Sequence, residues 1–209
     1  MSVVCPTITA SSALDFRAQT ERVAAFAHRI HIDLADGVFT ENKLIALEKV
    51  WWPAGVTADV HLMYEAVKPF IPQLTSLHPH MVIVHAEAVG NYYKIARPLK
   101  KAGIKVGVAL LSQTPVDIIR GAISDIDHVL IFSGHLGHFG GHVDLSLTKK
   151  IAELKKLRSD IEIGWDGGIS EKNIVKLTAS GVDVLNVGGA VQRAKNPAEA
   201  YATLKALAE

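Results

Sequence analysis

Residues 3–16 read VVCPTITASSALDF: a β-branched apolar run, a short polar break, then the opening of an amphipathic segment. A strand feeding a helix begins open α/β sheets and closed (β/α)8 barrels alike, so the link between the two decides. In doubly wound nucleotide-binding sheets that first link is a glycine-rich phosphate loop. Here residues 9–16, TASSALDF, contain no glycine. The open sheet loses its main support.

Outward from this unit the same pattern recurs. Strand-like runs fall at 29–35 (RIHIDLA), 57–63 (TADVHLM), 81–87, 104–110, 128–132, 161–165 and 182–187, making eight with 3–9. Segments with helical spacing lie between them, among them 15–29, 92–103, 147–158 and 171–181. Gly103 and Gly181 stand just past helical segments, where C-terminal caps place glycine. Eight strand–helix units within 209 residues predict an α/β fold: a single (β/α)8 TIM barrel domain over residues 1–209.

Composition narrows the partners. Hydrophobic residues at 49% and charged residues at 21% describe a chain that buries a core. The net charge of +1, with no basic stripe, argues against nucleic acid. No apolar run is long enough to span a bilayer, and MSVVCPTITA lacks the basic-then-apolar pattern of a signal peptide. The lone cysteine, Cys5, lies in an apolar strand; a buried inert thiol in a reducing cytoplasm is expected.

Strand periodicity then locates chemistry. Residues two apart share a face, which groups His31 with Asp33, Asp59 with His61 and Met63, and Glu162 with Gly164 and Asp166. Each set is expected near the C-terminal end of its strand, where barrels keep active sites. His31, Asp33, His61 and Asp166 thus form a candidate site for one divalent metal, with zinc, iron, manganese and cobalt all suited to such ligands. The loops at 166–170 (DGGIS) and 186–190 (NVGGA) follow strands seven and eight, where barrels often hold phosphate; Gly167, Gly168, Gly188 and Gly189 are its candidate ligands. A sugar phosphate anchored there could bring its keto group to the metal. Asp33 and Asp166, three strands apart, could remove a proton on one face of a carbon and return one on the other, inverting the centre. Alternatively both aspartates only ligate the metal, and another base is needed.

These residues carry a resemblance. His31-Ile32-Asp33-Leu34-Ala35-Asp36-Gly37, the DVHLM of residues 59–63, residues 101–110 (KAGIKVGVAL) and the DGGI of residues 166–169 are similar to motifs of the ribulose-phosphate 3-epimerase family. Residues 184–190, VLNVGGA, resemble that family's V-L-V-A-G-S-A. The resemblance spans nearly the whole chain and implies a ribulose-phosphate-binding barrel. It further implies 3-epimerisation of ribulose 5-phosphate, a zinc or iron ion on the four ligands, Asp33 and Asp166 as the acid–base pair, and assembly as a homo-oligomer. It places the phosphate near Gly141, Gly168, Gly188 and Gly189, and Thr7 at a substrate-side serine position. Of the family's methionines over the reacting carbon only Met63 remains; Ala35 and Phe132 replace two others.

Three rival readings follow from the departures. Ala35 could make room for a six-carbon substrate such as allulose 6-phosphate. A metal-free decarboxylase would need a lysine at the mouth, which these strands lack. A phosphosugar-binding barrel without turnover would keep the pocket alone. The sixth loop adds His135, His138 and His142, expected to serve a lid rather than a second metal. His85 and Glu87 are expected to support the mouth.

Overall fold

The structure is a computed structural model and describes residues 1–138 and 141–209. The eight strands are β1 (Val3–Thr9), β2 (Arg29–Ala35), β3 (Thr57–Met63), β4 (Met81–His85), β5 (Lys105–Leu110), β6 (His128–Phe132), β7 (Glu162–Asp166) and β8 (Val184–Val187). All are parallel to their neighbours, and β8 pairs with β1, so the barrel closes. The expected runs 3–9, 29–35, 57–63 and 128–132 match their strands end to end; the others shift by one or two residues at one end or, for 161–165, by one at both. The polar break after β1 is a helix cap: the Ser12 side chain accepts from the Asp15 N–H at the start of α1 (Ala13–Ala24).

The outer layer comprises α1, α2 (Ile71–Leu77), α3 (Tyr92–Lys101), α4 (Lys149–Leu157), α5 (Ile174–Ala179), the short α6 (Gly189–Gln192) and α7 (Pro197–Ala208). A 3-10 turn at Leu47–Lys49 follows β2 and a 3-10 run at Val116–Asp125 follows β5, so the layer is thin there. Gly103 and Gly181 adopt positive φ, as their cap positions require. Among the described residues, no helix is long and apolar enough to cross a membrane.

Strand alternation divides the core. Ile8, Ile30, Ile32, Leu34, Val60, Leu62, Ile131 and Leu185 point outward and pack against the helices in the main apolar cluster. Inside the barrel, Met81, Ile83, Ala109 and Leu130 form a small separate cluster on β4–β6. The β1–β3 and β7–β8 side of the interior is polar by contrast, carrying Thr7, Thr9, His31, Asp33, His61, Asp166 and Asn186, all buried. Cys5 is fully buried there and burial pushes its thiol well up, so it stays protonated. Trp51 packs edge-on against Phe16, centroids 6.3 Å apart.

One expectation is corrected. Asp59 and Glu162 face inward, but at the N-terminal end of the barrel rather than the mouth. Asp59 accepts from Arg29 Nε at 2.7 Å, and Glu162 accepts from both terminal nitrogens of Arg29 at 3.1 and 3.2 Å. Alternation assigned the face correctly and left the height open; the register of the closed barrel sets the height.

Candidate active site

Parallel pairing puts Asp33 directly opposite His61, Thr7 opposite His31 and Thr9 opposite Asp33. β7 brings Asp166 from the far side of β8 and β1. One ligand atom from each of His31, Asp33, His61 and Asp166 lies within 4.8 Å of the others, and all four residues are buried. His31 Nε2 stands 3.3 Å from Asp33 Oδ1 and 3.7 Å from Asp166 Oδ2, yet among the described residues neither ring nitrogen of His31 has a hydrogen-bond partner. A buried imidazole beside two carboxylates is a donor set that could hold a divalent metal ion.

The neighbouring histidine supports the same assignment. Glu87 accepts hydrogen bonds from the Leu111 amide at 3.1 Å and from the Thr114 hydroxyl. Burial opposes its ionisation, but its contacts with His85, Thr114 and Leu111 bring it down to about 2, so it is a carboxylate and only accepts. His85 Nδ1, 3.3 Å away, must therefore donate to it. With His85 neutral, its Nε2 offers a lone pair to His61 Nε2, 2.9 Å away, which then carries the proton. His61 Nδ1 is left as a lone pair facing Asp33 Oδ1 at 2.9 Å. In that tautomer His61 Nδ1 and the Asp33 carboxylate are two donor atoms that one divalent cation could share. Lys150, buried on α4, steadies the arrangement by donating to the carbonyls of Leu111 and Thr114 at 2.6 and 2.8 Å.

The titrating groups are driven apart. Burial, with His85 nearby, holds His61 down at about 4 despite the Asp33 carboxylate, which keeps the imidazole neutral as a ligand must be. Burial opposes charge on Asp33 as well, but His31 and His61 against it hold the carboxyl well below the usual range. The Thr9 hydroxyl donates to its Oδ2 at 2.7 Å. Asp166 goes the other way: burial first, then the Asp33 charge, push its carboxyl up.

Above the cluster opens a cavity of about 330 Å3. Asp33 and Asp166 reach it, while His31 and His61 lie beneath its floor. Thr7, Met63, Gly141, Gly167, Gly168, Gly188 and Gly189, expected around a substrate, all line it. Gly167 and Gly168 have φ of +106° and +72°, and a Cβ on them would meet Gly134 N at 2.2 Å and Val143 N at 2.7 Å. These two glycines therefore let the sixth and seventh loops touch. A Cβ on Gly189 would meet nothing within 4 Å, so that stretch of rim is open.

The described residues of the sixth loop contribute to the cavity wall. His135 and His138 line the cavity, and His142 is not among its lining residues. His138 uses both ring nitrogens, with Leu136 O at 3.0 Å and Asn42 Nδ2 at 2.5 Å, and so ties this loop to the one after β2. Phe139 and Gly140 lie outside the described residues. Ala35 packs with Leu44 and with the cavity-lining Met63, against Phe39 and Leu136, and is not itself among the lining residues. Asp36 is a loop clamp, accepting from the amides of Val38, Phe39 and Glu65. Sequence reasoning missed Thr9, Asn186 and Arg193, which also line the cavity. Alternation along β1 and β8 could have flagged the first two; no pattern marks Arg193, just past α6.

Three comparisons bear on this geometry. The Ribulose-phosphate 3 epimerase family matches residues 3–192. The chain is 30% identical over 201 residues to a protein of Helicobacter pylori (strain J99) named ribulose-phosphate 3-epimerase, covering 92% of each. It is 30% identical over 212 residues to one of that name from Mycobacterium bovis, covering 97% of this chain and 91% of the relative. Among solved structures, 3-hexulose-6-phosphate synthase from Salmonella typhimurium superposes with a TM-score of 0.73 at 15% identity, over 100% of this chain and 98% of that one. KGPDC from Streptococcus mutans does so with a TM-score of 0.77 at 11% identity, over 99% and 97%. Those two likenesses establish the barrel alone; the family match and the curated relatives establish that the chain belongs to the ribulose-phosphate 3-epimerase family of carbohydrate isomerases.

Proposed function

We propose that this protein is a divalent-metal-dependent 3-epimerase that interconverts ribulose 5-phosphate and xylulose 5-phosphate. Family membership supports 3-epimerisation of a pentulose phosphate. The observation that carries the rest is the buried His31–Asp33–His61–Asp166 cluster, which presents two carboxylates to the floor of a glycine-rimmed cavity. The donor set suits zinc or iron, with manganese and cobalt also accommodated. A cation bound by these four residues supplies positive charge against the negative charge that develops on the substrate oxygens.

The chain's own groups divide the proton work. Asp33, held ionised by its hydrogen bonds, takes the C3 proton from one face of one epimer. Asp166, from the other side of the mouth, delivers a proton to the opposite face; the roles reverse for the other epimer. Gly141, Gly168, Gly188 and Gly189, with Arg193, form the rim that receives the phosphate. Met63 and Phe132 give the reacting carbon an apolar wall that excludes water. The proposal places the protein in the cytosol as a homo-oligomer of one-domain subunits, with Cys5 kept reduced.

Proton exchange tests the reading. Ribulose 5-phosphate in deuterated water with metal-loaded protein should gain deuterium at C3 and yield xylulose 5-phosphate, and chelation should stop both. Absence of exchange with the metal bound and the fold intact would reject turnover and leave a binding barrel.

A further inference from the structure

β8 ends at Val187, opposite Pro6 of β1, so β1 runs on to Thr9 with no strand beside it on that flank. The side-chain amide of Gln19, buried on α1, takes the place of the missing strand. Its Oε1 accepts from the Thr9 N–H at 3.1 Å, and its Nε2 donates to the Thr9 carbonyl at 3.0 Å. Asp15, one turn earlier on α1, accepts from the same Nε2 at 2.9 Å, which fixes the sense of the amide. The clamp holds the backbone at Thr9. A threonine side chain is stiff at χ1, so the direction of its hydroxyl is held as well.

That direction is towards Asp33. Thr9 stands in register with Asp33 across β1 and β2, and its Oγ1 donates to Asp33 Oδ2 at 2.7 Å. The other oxygen, Oδ1, lies 2.9 Å from His61 Nδ1 and 3.3 Å from His31 Nε2. The two carboxylate oxygens therefore have different neighbours. Oδ1 faces the histidines, which do not line the cavity; Oδ2 is bonded to Thr9, which lines it together with Asp33. The terminal torsion of an aspartate is broad, and a turn about it would take Oδ1 away from the histidines. A hydrogen bond from Thr9 to Oδ2 opposes that turn, and one made to an ionised acceptor is stronger than a neutral one.

We propose that Thr9, its backbone clamped by Gln19, is a positioning residue that fixes the plane of the Asp33 carboxylate and keeps Oδ1 turned to the metal; this rests on the epimerase reading above. Thr9→Val keeps the branched shape and removes the hydroxyl, while Thr9→Ser keeps the hydroxyl. Zinc affinity, measured by chelator competition without substrate, should fall about tenfold in Thr9→Val and return to near the wild-type value in Thr9→Ser. In zinc-loaded protein, kcat for ribulose 5-phosphate should fall about tenfold in Thr9→Val, and Thr9→Ser should restore it. KM should hold, because the hydroxyl is committed to Asp33 rather than to substrate. A rise in KM with kcat unchanged would make Thr9 a substrate contact, and a fall in Tm with zinc affinity and kcat intact would make the hydrogen bond structural; either overturns the assignment. So does a loss in Thr9→Ser equal to that in Thr9→Val. If wild type binds zinc but does not turn over ribulose 5-phosphate, the epimerase reading fails separately, and zinc affinity alone decides this one. Equal affinity in all three proteins, or no zinc bound by wild type, then overturns it.

Discussion

An ionic cluster sits at each end of the barrel, and the two use the same kinds of residue. At the N-terminal end Arg29 reaches Asp59 at 2.7 Å and grips Glu162 through two nitrogens, while His128 Nδ1 lies 2.7 Å from Glu162. At the mouth, two histidines face two aspartates, and the cluster has no arginine or lysine among its members. The lower cluster carries its own fixed cation, which both of its carboxylates contact. The upper one has carboxylates pushed in opposite directions, a histidine with both nitrogens unmet, and two lone pairs face to face. An arginine gripped by two carboxylates marks a structural cluster; buried histidines and aspartates of unequal proton affinity mark a candidate functional one.

Four variants probe that contrast. The largest effect is expected from Asp166→Asn, which should cut turnover about a thousandfold while far-UV circular dichroism stays unchanged. Substantial residual epimerisation would remove Asp166 from proton transfer and weaken the functional reading of the upper cluster. Next comes Arg29→Met, which strands Asp59 and Glu162 without their cation. A loss of about 3 kcal/mol is expected, or roughly 6–12 °C in Tm for a chain of this length, with metal content unaltered. Loss of metal from that variant would show that the two ends are not separable.

Glu87→Gln sharpens the account of the mouth. Glutamine can donate where the carboxylate only accepts, so His85 is free to reverse its proton and His61 loses its preferred tautomer. Zinc affinity should fall about tenfold to a hundredfold, measured by chelator competition, and nitrogen NMR should show the His61 proton no longer confined to Nε2. An unchanged tautomer would break the relay.

The smallest effect is a difference of sign with pH. Burial opposes charge on Glu162, but His128 and Arg29 more than offset it and hold the carboxyl well below the ordinary range. Its stabilisation is therefore complete above the unfolded value of about 4.3 and declines as the pH falls below it. Asp166 in chelated protein is shifted upward, so its ionisation costs stability as the pH rises from about 3.9 through the folded value. Glu162→Gln should thus lower Tm at pH 7, and Asp166→Asn should raise it in chelator; both differences should shrink towards acid. A chelated Asp166→Asn protein less stable than wild type at pH 7 would contradict the strain assigned to the mouth.

Much of this was legible in the chain. Period-two alternation in RIHIDLA and TADVHLM put His31, Asp33 and His61 inside, and the glycine-free TASSALDF turned the fold away from an open sheet. The same alternation could not separate Asp59 from His61 or Glu162 from Asp166, because both members of each pair face inward. Nor could it reveal that His138 is tied to Asn42 rather than free to bind metal, or that Phe39, Leu44 and Leu136 pack around Ala35.

The sequence by itself determined which side chains enter the barrel and which bury against the helices, since that depends only on local backbone periodicity and the hydrophobic pattern. Only the closed barrel decided their heights and partners. Arg29 meets Glu162 across 133 positions of chain, and the Asn186 amide has no hydrogen-bond partner among the described residues. Such facts arise when strand stagger and closure bring distant segments to one level, and no local pattern encodes that stagger.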